Sequence, residues 1–250
     1  MEVHHHPKVE KKGLKEYFLE FLMIFLAVTL GFFAESLQER IVNKEKETHY
    51  IKSMLQDIKI DKEELPAVLS WQNIILNKID SALGIPVARL TDIDVQDTFY
   101  HHFVYIYSWV STFTHNDNAY TQLRNAGGFS VIHRQEIIDS IGLFYSFYET
   151  AVKFNGNYYT EYYNKMVQFA AQVMDLPVIP LTTDDSLLKM IPHHVEVFTR
   201  YDMTLLRELY SIIRYVKGCL LFYMKQEKTY GEMAERMIDY LAKKYDIKNE

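Results

Sequence analysis

Residues 17–34 read YFLEFLMIFLAVTLGFFA, and Glu20 is the single charged side chain among them. A helix crossing the hydrocarbon core of a bilayer needs about 20 mostly apolar residues, within a range of roughly 17–25, so this run is sufficient at the short end. Three other uses of such a stretch fit less well. A cleavable leader would combine the basic start (Lys8, Lys11, Lys12, Lys15) with a small-x-small site, which Gly31-Phe32-Phe33-Ala34 does not supply. A buried core helix usually keeps a polar stripe, and an interfacial helix has one polar face. Positions 21–34 show neither. The reading is a basic tail over 1–16 followed by a transmembrane helix over 17–36, with the lipid bilayer as first partner.

Orientation follows from the flanking cations. Four Lys precede the span, while Arg40, Lys44 and Lys46 follow it among Glu35, Glu39, Glu45 and Glu47. Because the topology rule counts Lys and Arg, the bias points to an N-terminus inside the cytoplasm and a larger domain outside it. In a bacterium that places the domain in the periplasm and the anchor in the inner membrane.

Working outward, the chain is 250 residues long with only 9 Gly and 6 Pro. Sandwiches and barrels need turn residues at short intervals, so this scarcity favours long helices and an all-α fold. A net charge of −6 offers no concentrated basic face for nucleic acid. The single cysteine, Cys219, excludes an intrachain disulfide framework and a thiolate cluster. It lies between apolar residues and reads as a small buried hydrophobe.

No Pro or Gly occurs between Phe32 and Leu65, so the span is expected to continue as a stalk helix over 37–65. That helix would end near Pro66 or pass it with a kink. Its sparse apolar positions, Ile41, Ile51, Leu55, Ile58 and Leu65, suit a stalk packed on copies of itself or a partly solvated surface helix. The soluble domain, 66–250, then reads as a bundle of long antiparallel helices. The first covers 67–83. The next covers 95–113, with Phe99, Phe103, Ile106, Val110 and Phe113 at steps of three and four. Asn116 or Asp117 can cap a short helix that Gly127-Gly128 ends. Residues 134–174 form a long helix that Gly156 can divide, with Ile137, Ile141, Phe144, Tyr148, Val152, Tyr159, Tyr162, Met166, Phe169 and Val173 inward. After a loop holding Pro177 and Pro180, residues 202–245 close the chain. There Leu206, Leu209, Ile213, Val216, Leu220, Met224, Met233, Met237 and Leu241 share one face.

Two stretches carry a resemblance. KEYFLEFLMIFLAVTLGFFAESLQER (15–40) resembles the opening of an uncharacterised family of bacteroidete single-pass membrane proteins, whose members begin with a Leu-Glu-Phe-Leu apolar helix running into a charged one. AYTQLRNAGGFSVIHRQEIIDSIGLFY (119–145) is similar to that family's central turn and helix. The matching positions are Leu123, Gly127, Phe129, Ile132 and the pair Phe144-Tyr145, and Gly128 is a local departure. The resemblance implies location and architecture, and it carries no catalytic residues.

Chemistry-bearing residues are few. Neighbouring residues on a helix point about 100° apart, so the pairs His101-His102 and His193-His194 cannot chelate as an i, i+4 pair does. A zinc site would need His193 or His194 to converge with Asp184 or Asp185, and the triplet His4-His5-His6 lies in the tail. No nucleophile elbow, P-loop or dinucleotide fingerprint is present, so no catalytic residue, metal or cofactor is assigned. A carboxylate inside a span is costly and a functional candidate. Glu20 lies about one turn from the start, where Lys12, Lys15 and Glu16 can pair with or solvate it, and Gly31 permits close helix approach. Tyr107, Tyr159 and Tyr162 are candidates to line a groove. The leading expectation is a membrane-anchored helical scaffold or interaction protein that self-associates through anchor and stalk, with a further protein partner allowed. The alternatives are an extracytoplasmic sensory module with a tyrosine-lined pocket, and an oligomeric channel subunit with Glu20 in the membrane.

Overall fold

The computed structural model describes residues 13–108, 110–125, 127–176 and 197–247, and among these there is no strand. Helix α1 (Leu14–Gly84) has 71 residues, about 105 Å at 1.5 Å per residue. It is followed by a 3₁₀ turn (Val87–Thr91), α2 (Ile93–Ser108), α3 (Asn118–Asn125) and a second 3₁₀ turn (Gly128–Val131). Then come α4 (Gln135–Phe147), a π-helical turn (Tyr148–Lys153) and α5 (Phe154–Ala170), joined end to end, and finally α6 (Met203–Tyr245). Asp202 caps α6, its carboxylate accepting from the backbone N–H of Thr204 at 2.8 Å.

Cross-chain contacts set the directions. Going up α1, Glu47 meets Tyr245, Asp61 meets Tyr230, Gln72 meets Glu227 and Asp80 meets Lys217. The two helices are therefore antiparallel over some 35 residues. The α4–α5 rod also opposes α6, from Glu136 beside Lys244 to Tyr162 beside Tyr215. The remaining leg descends from α2, where Phe99 stacks on Tyr210, through residues 110–117 to α3. The result is an up-down-up-down four-legged bundle hung on α6, with one core running its length.

Pro66 does not end α1. It lies on the solvent side, where water can satisfy the Lys62 carbonyl that loses its partner, while Leu65 and Gln72 hold the helix to the bundle on either side. The separate helix expected over 67–83 is thus the upper part of α1. The stalk is corrected too. Ile51, Leu55, Ile58 and Leu65 are buried against this chain's own core, so only Ile41 and its neighbours below residue 47 stand clear of it.

Two breaks fall elsewhere than expected. Gly156 does not divide the long helix. It lets α5 approach α6, and a Cβ there would sit 3.0 Å from the Tyr223 ring. The inward face after it carries Tyr163 and Ala170, with Tyr162 and Phe169 only half-buried. Helix α2 stops at Ser108 rather than reaching Phe113. The sequence beyond it, VSTFTHND, is rich in β-branched and short polar residues that lose little by leaving the helix. The face of α6 agrees with its periodicity, Met233 alone of the nine being half-buried.

The turn at Leu123–Ile132 needs its two glycines for different reasons. Gly127 has φ +65°, the left-handed conformation that stops α3. Gly128 lies on Leu123, whose Cδ1 would be 2.7 Å from an added Cβ. Phe129 meets the Tyr120 ring edge-on and Ile132 is buried, while Gly127 turns the chain at the exposed rim.

Candidate functional site

Among the described residues one helix is long and apolar enough to cross a membrane, the lower part of α1. Its most apolar 18-residue window has a mean hydropathy of 2.1 and no residue buried against the rest of the chain. Phe21, Met23, Ile24, Phe25, Leu30 and Phe32 all stand out on its surface. At its start the Gly13 N–H donates to the Glu16 carboxylate at 3.0 Å, so Glu16 serves the helix end. Lys15 is exposed beside it, Glu20 is half-buried one turn on, and nothing lies within 4 Å of where a Cβ on Gly31 would be.

Just above this segment the bottom of the bundle forms a cleft of about 770 Å³. Arg40, Lys44 and Glu47 of α1 make one wall. Arg134, at the start of α4, and Lys244 and Tyr245, at the end of α6, make the other. Glu47 is almost buried and accepts from the Tyr245 hydroxyl. The Arg134 guanidinium donates to the Lys244 carbonyl at 3.4 Å and lies 6.0 Å from the Tyr245 ring centre. Lys244 pairs with Glu136 at 2.7 Å, which pulls that exposed carboxyl below its ordinary range. Arg40 and Lys44 have no carboxylate within ion-pair distance among the described residues.

A polar seam crosses the middle of the core. The non-helical leg 110–117 brings unpaired backbone groups into the interior, where each needs a partner. Gln72 donates to the Ser111 carbonyl at 3.1 Å and to Glu227 at 3.0 Å. The Phe113 N–H donates to the Tyr223 hydroxyl at 2.7 Å. Asp61, fully buried, accepts from the Asn116 N–H and side-chain amide, both at 2.8 Å, and from the Tyr230 hydroxyl. The Asp57 carboxylate accepts from Ala119 N–H at 2.9 Å, capping α3 from another helix, while the carboxylate of local Asp117 accepts from the Thr121 hydroxyl at 3.0 Å. Burial raises the Asp61 carboxyl, opposed by its hydrogen bonds. Burial also raises Glu227 to about 7, against the lowering effect of Gln72, Tyr223 and the Phe113 amide. His115 stacks on Tyr148 with ring centres 3.5 Å apart, and burial lowers it to about 4 although Asp117 and Glu149 favour its charge. These groups hold a backbone in place, and a reaction centre is not needed to explain them.

The tyrosine groove is not formed as expected. Tyr159 is fully buried, while Tyr162 lies outside against Tyr215. Tyr107 contributes its carbonyl to the Tyr163 hydroxyl. The apolar notch that does exist, about 430 Å³, is lined by Phe154, Tyr158, Tyr215 and Phe222 with half-buried Cys219 at its floor. His101 lies 3.6 Å from Asp97, and burial lowers His102. His193, His194, Asp184, Asp185, Pro177, Pro180 and the triplet His4-His5-His6 fall outside the described residues.

The buried polar groups were missed at the sequence level, although a signal existed. Asp61 and Gln72 occupy the three-and-four spacing of Ile58, Leu65, Ile75 and Ile79, and Glu227 and Tyr230 occupy that of Tyr223 and Ala234. A polar residue in phase with a core stripe is the mark of an internal partner.

No family model, curated protein or solved structure matches this chain, so the reading rests on its own residues.

Proposed function

We propose that this chain is a single-pass membrane protein whose anchor and bundle share one helix, holding an interaction domain at a bilayer surface and self-associating there. The observation that carries this reading is the bare apolar surface of α1 below residue 34, continuous with the helix that forms the core above residue 47. A soluble monomer rarely shows so large an unbroken apolar surface. Positions 21–34 contain nine Leu, Ile, Phe or Val, worth roughly 3–5 kcal/mol in favour of insertion. Glu20, near the segment's start, offsets part of that at headgroup depth.

The surface left for self-association is the anchor, with Gly31 open to close approach, and the exposed turns at Leu37, Ile41 and Val42. The cation bias and the resemblance of residues 15–40 support an inner-membrane protein of a bacterium, its N-terminus cytoplasmic and its bundle periplasmic.

Membranes from cells making the full chain are washed with alkaline carbonate and then extracted with mild detergent. The protein is expected to stay with the membrane through the wash, to elute in detergent as a dimer or larger by light scattering, and to lose retention in Val28→Arg. A monodisperse monomer in detergent-free buffer would overturn the anchor. A strict monomer in detergent would overturn self-association alone.

A further inference from the structure

The cleft at the base of the bundle opens just above the level of a bilayer's phosphate layer, if α1 is anchored as proposed. Arg40 is six residues beyond Ala34 and Lys44 ten, about 9 and 15 Å along the helix. Headgroups occupy about 5–8 Å on each side of the hydrocarbon, and long basic side chains reach back toward them. The lining carries four cations (Arg40, Lys44, Arg134, Lys244) and two carboxylates (Glu47, Asp246); with Lys244 neutralised by Glu136 at 2.7 Å it remains net positive, the reverse of the chain's overall negative balance. Glu47 is already engaged by Tyr245, and among the described residues Arg40 and Lys44 have no carboxylate within ion-pair distance.

We propose that this cleft binds the phosphate headgroup of an anionic phospholipid from the membrane that holds α1. Arg40 and Lys44 meet the phosphate from the helix that leaves the bilayer. Arg134 closes on it from α4, braced by its bond to the Lys244 carbonyl and its contact with the Tyr245 ring. Three elements distant in sequence thus converge on one lipid, which sets the bundle's tilt and rotation on the membrane. A diffuse belt of juxtamembrane charge would not require Arg134 or distinguish the two faces of α1.

That distinction supplies the test. Full-length protein is reconstituted into nanodiscs containing equal phosphatidylglycerol and phosphatidylcholine, then recovered in mild detergent, and the lipids it retains are counted by mass spectrometry. Wild type is expected to retain phosphatidylglycerol preferentially. Arg40→Gln and Arg134→Gln should each lower that preference about fivefold, the effect of one basic residue near an anionic surface. Arg134→Lys should restore most of it. Lys46→Gln removes the same charge at the height of the Glu47–Tyr245 contact, level with Arg134 but on the exposed face of α1 outside the cleft, and should change it less than twofold. An equal loss in Lys46→Gln, or none in Arg134→Gln with an unchanged circular-dichroism melt, would overturn the cleft. Millimolar inorganic phosphate should leave the retained lipid in place; complete displacement would assign the site to a soluble phosphate instead. Entry into the discs reports the anchor separately, so a protein that enters but shows no preference refutes the cleft alone.

Discussion

Glu227→Gln and His115→Phe should tilt the dependence of stability on pH in opposite directions. In the folded chain Glu227 titrates near 7 instead of its ordinary 4.5, because burial disfavours its charged form. Between those values the folded state holds a proton that the unfolded state has released. Its contribution is therefore complete below pH 4.5 and is lost as pH rises to about 7. At 1.36 kcal/mol per pH unit the loss is about 3 kcal/mol. His115 behaves in the opposite sense. Its folded value is about 4 against 6.5, so its contribution is complete above 6.5 and disappears as pH falls to about 4, again by about 3 kcal/mol. In the wild type the two slopes largely cancel between pH 4.5 and 6.5, leaving the slope from Asp61, whose raised carboxyl acts in the same sense as Glu227. Gln at 227 can still accept from Gln72, and Phe at 115 can still stack on Tyr148, so each change removes chiefly the titration. Denaturant unfolding of the full chain in detergent, followed by circular dichroism from pH 4 to 7.5, gives the difference curves. Stability relative to wild type should climb with pH in Glu227→Gln and drop with pH in His115→Phe. Two flat curves, or two of the same sign, would refute the assignment of both groups to a desolvated core.

The seam makes a second prediction. Asp61→Ala strands the Asn116 amides and the Tyr230 hydroxyl in the interior and should cost about 3–5 kcal/mol. Adding Tyr230→Phe to it should cost about 1.5–3 kcal/mol less than in wild type, because both ends of one charge-assisted hydrogen bond are then gone. Additive losses in the denaturant midpoints would show that the pair is not coupled. The glycines make a third: Gly127→Ala should lower stability by about 1 kcal/mol through its positive φ, and Gly156→Val by about 1–3 kcal/mol through the Tyr223 ring. If Gly156→Val were neutral in thermal melts, the close approach of α5 to α6 would be wrong.

What the amino-acid order settled by itself is what period and composition control. An apolar run with no polar face cannot lie half in water, which marked residues 17–34 as a candidate span before any packing was known. The three-and-four stripe from Leu206 to Leu241 defined the buried face of α6 in the same way, and Gly127 announced its turn because few other residues take a left-handed conformation. Tertiary structure decided the rest. Whether Pro66 ends a helix depends on which side it faces, and whether Ile51 and Leu55 belong to a stalk or a core depends on a helix more than 150 residues further along the chain. Helix α2 stops short because side chains from α1 and α6 take up the backbone groups of residues 110–117, an exchange that local propensity cannot register. The cleft likewise gathers Arg40, Arg134 and Lys244 from three elements. Periodicity is a property of neighbours along the chain, whereas burial, pairing and the position of charge depend on what folds back against them.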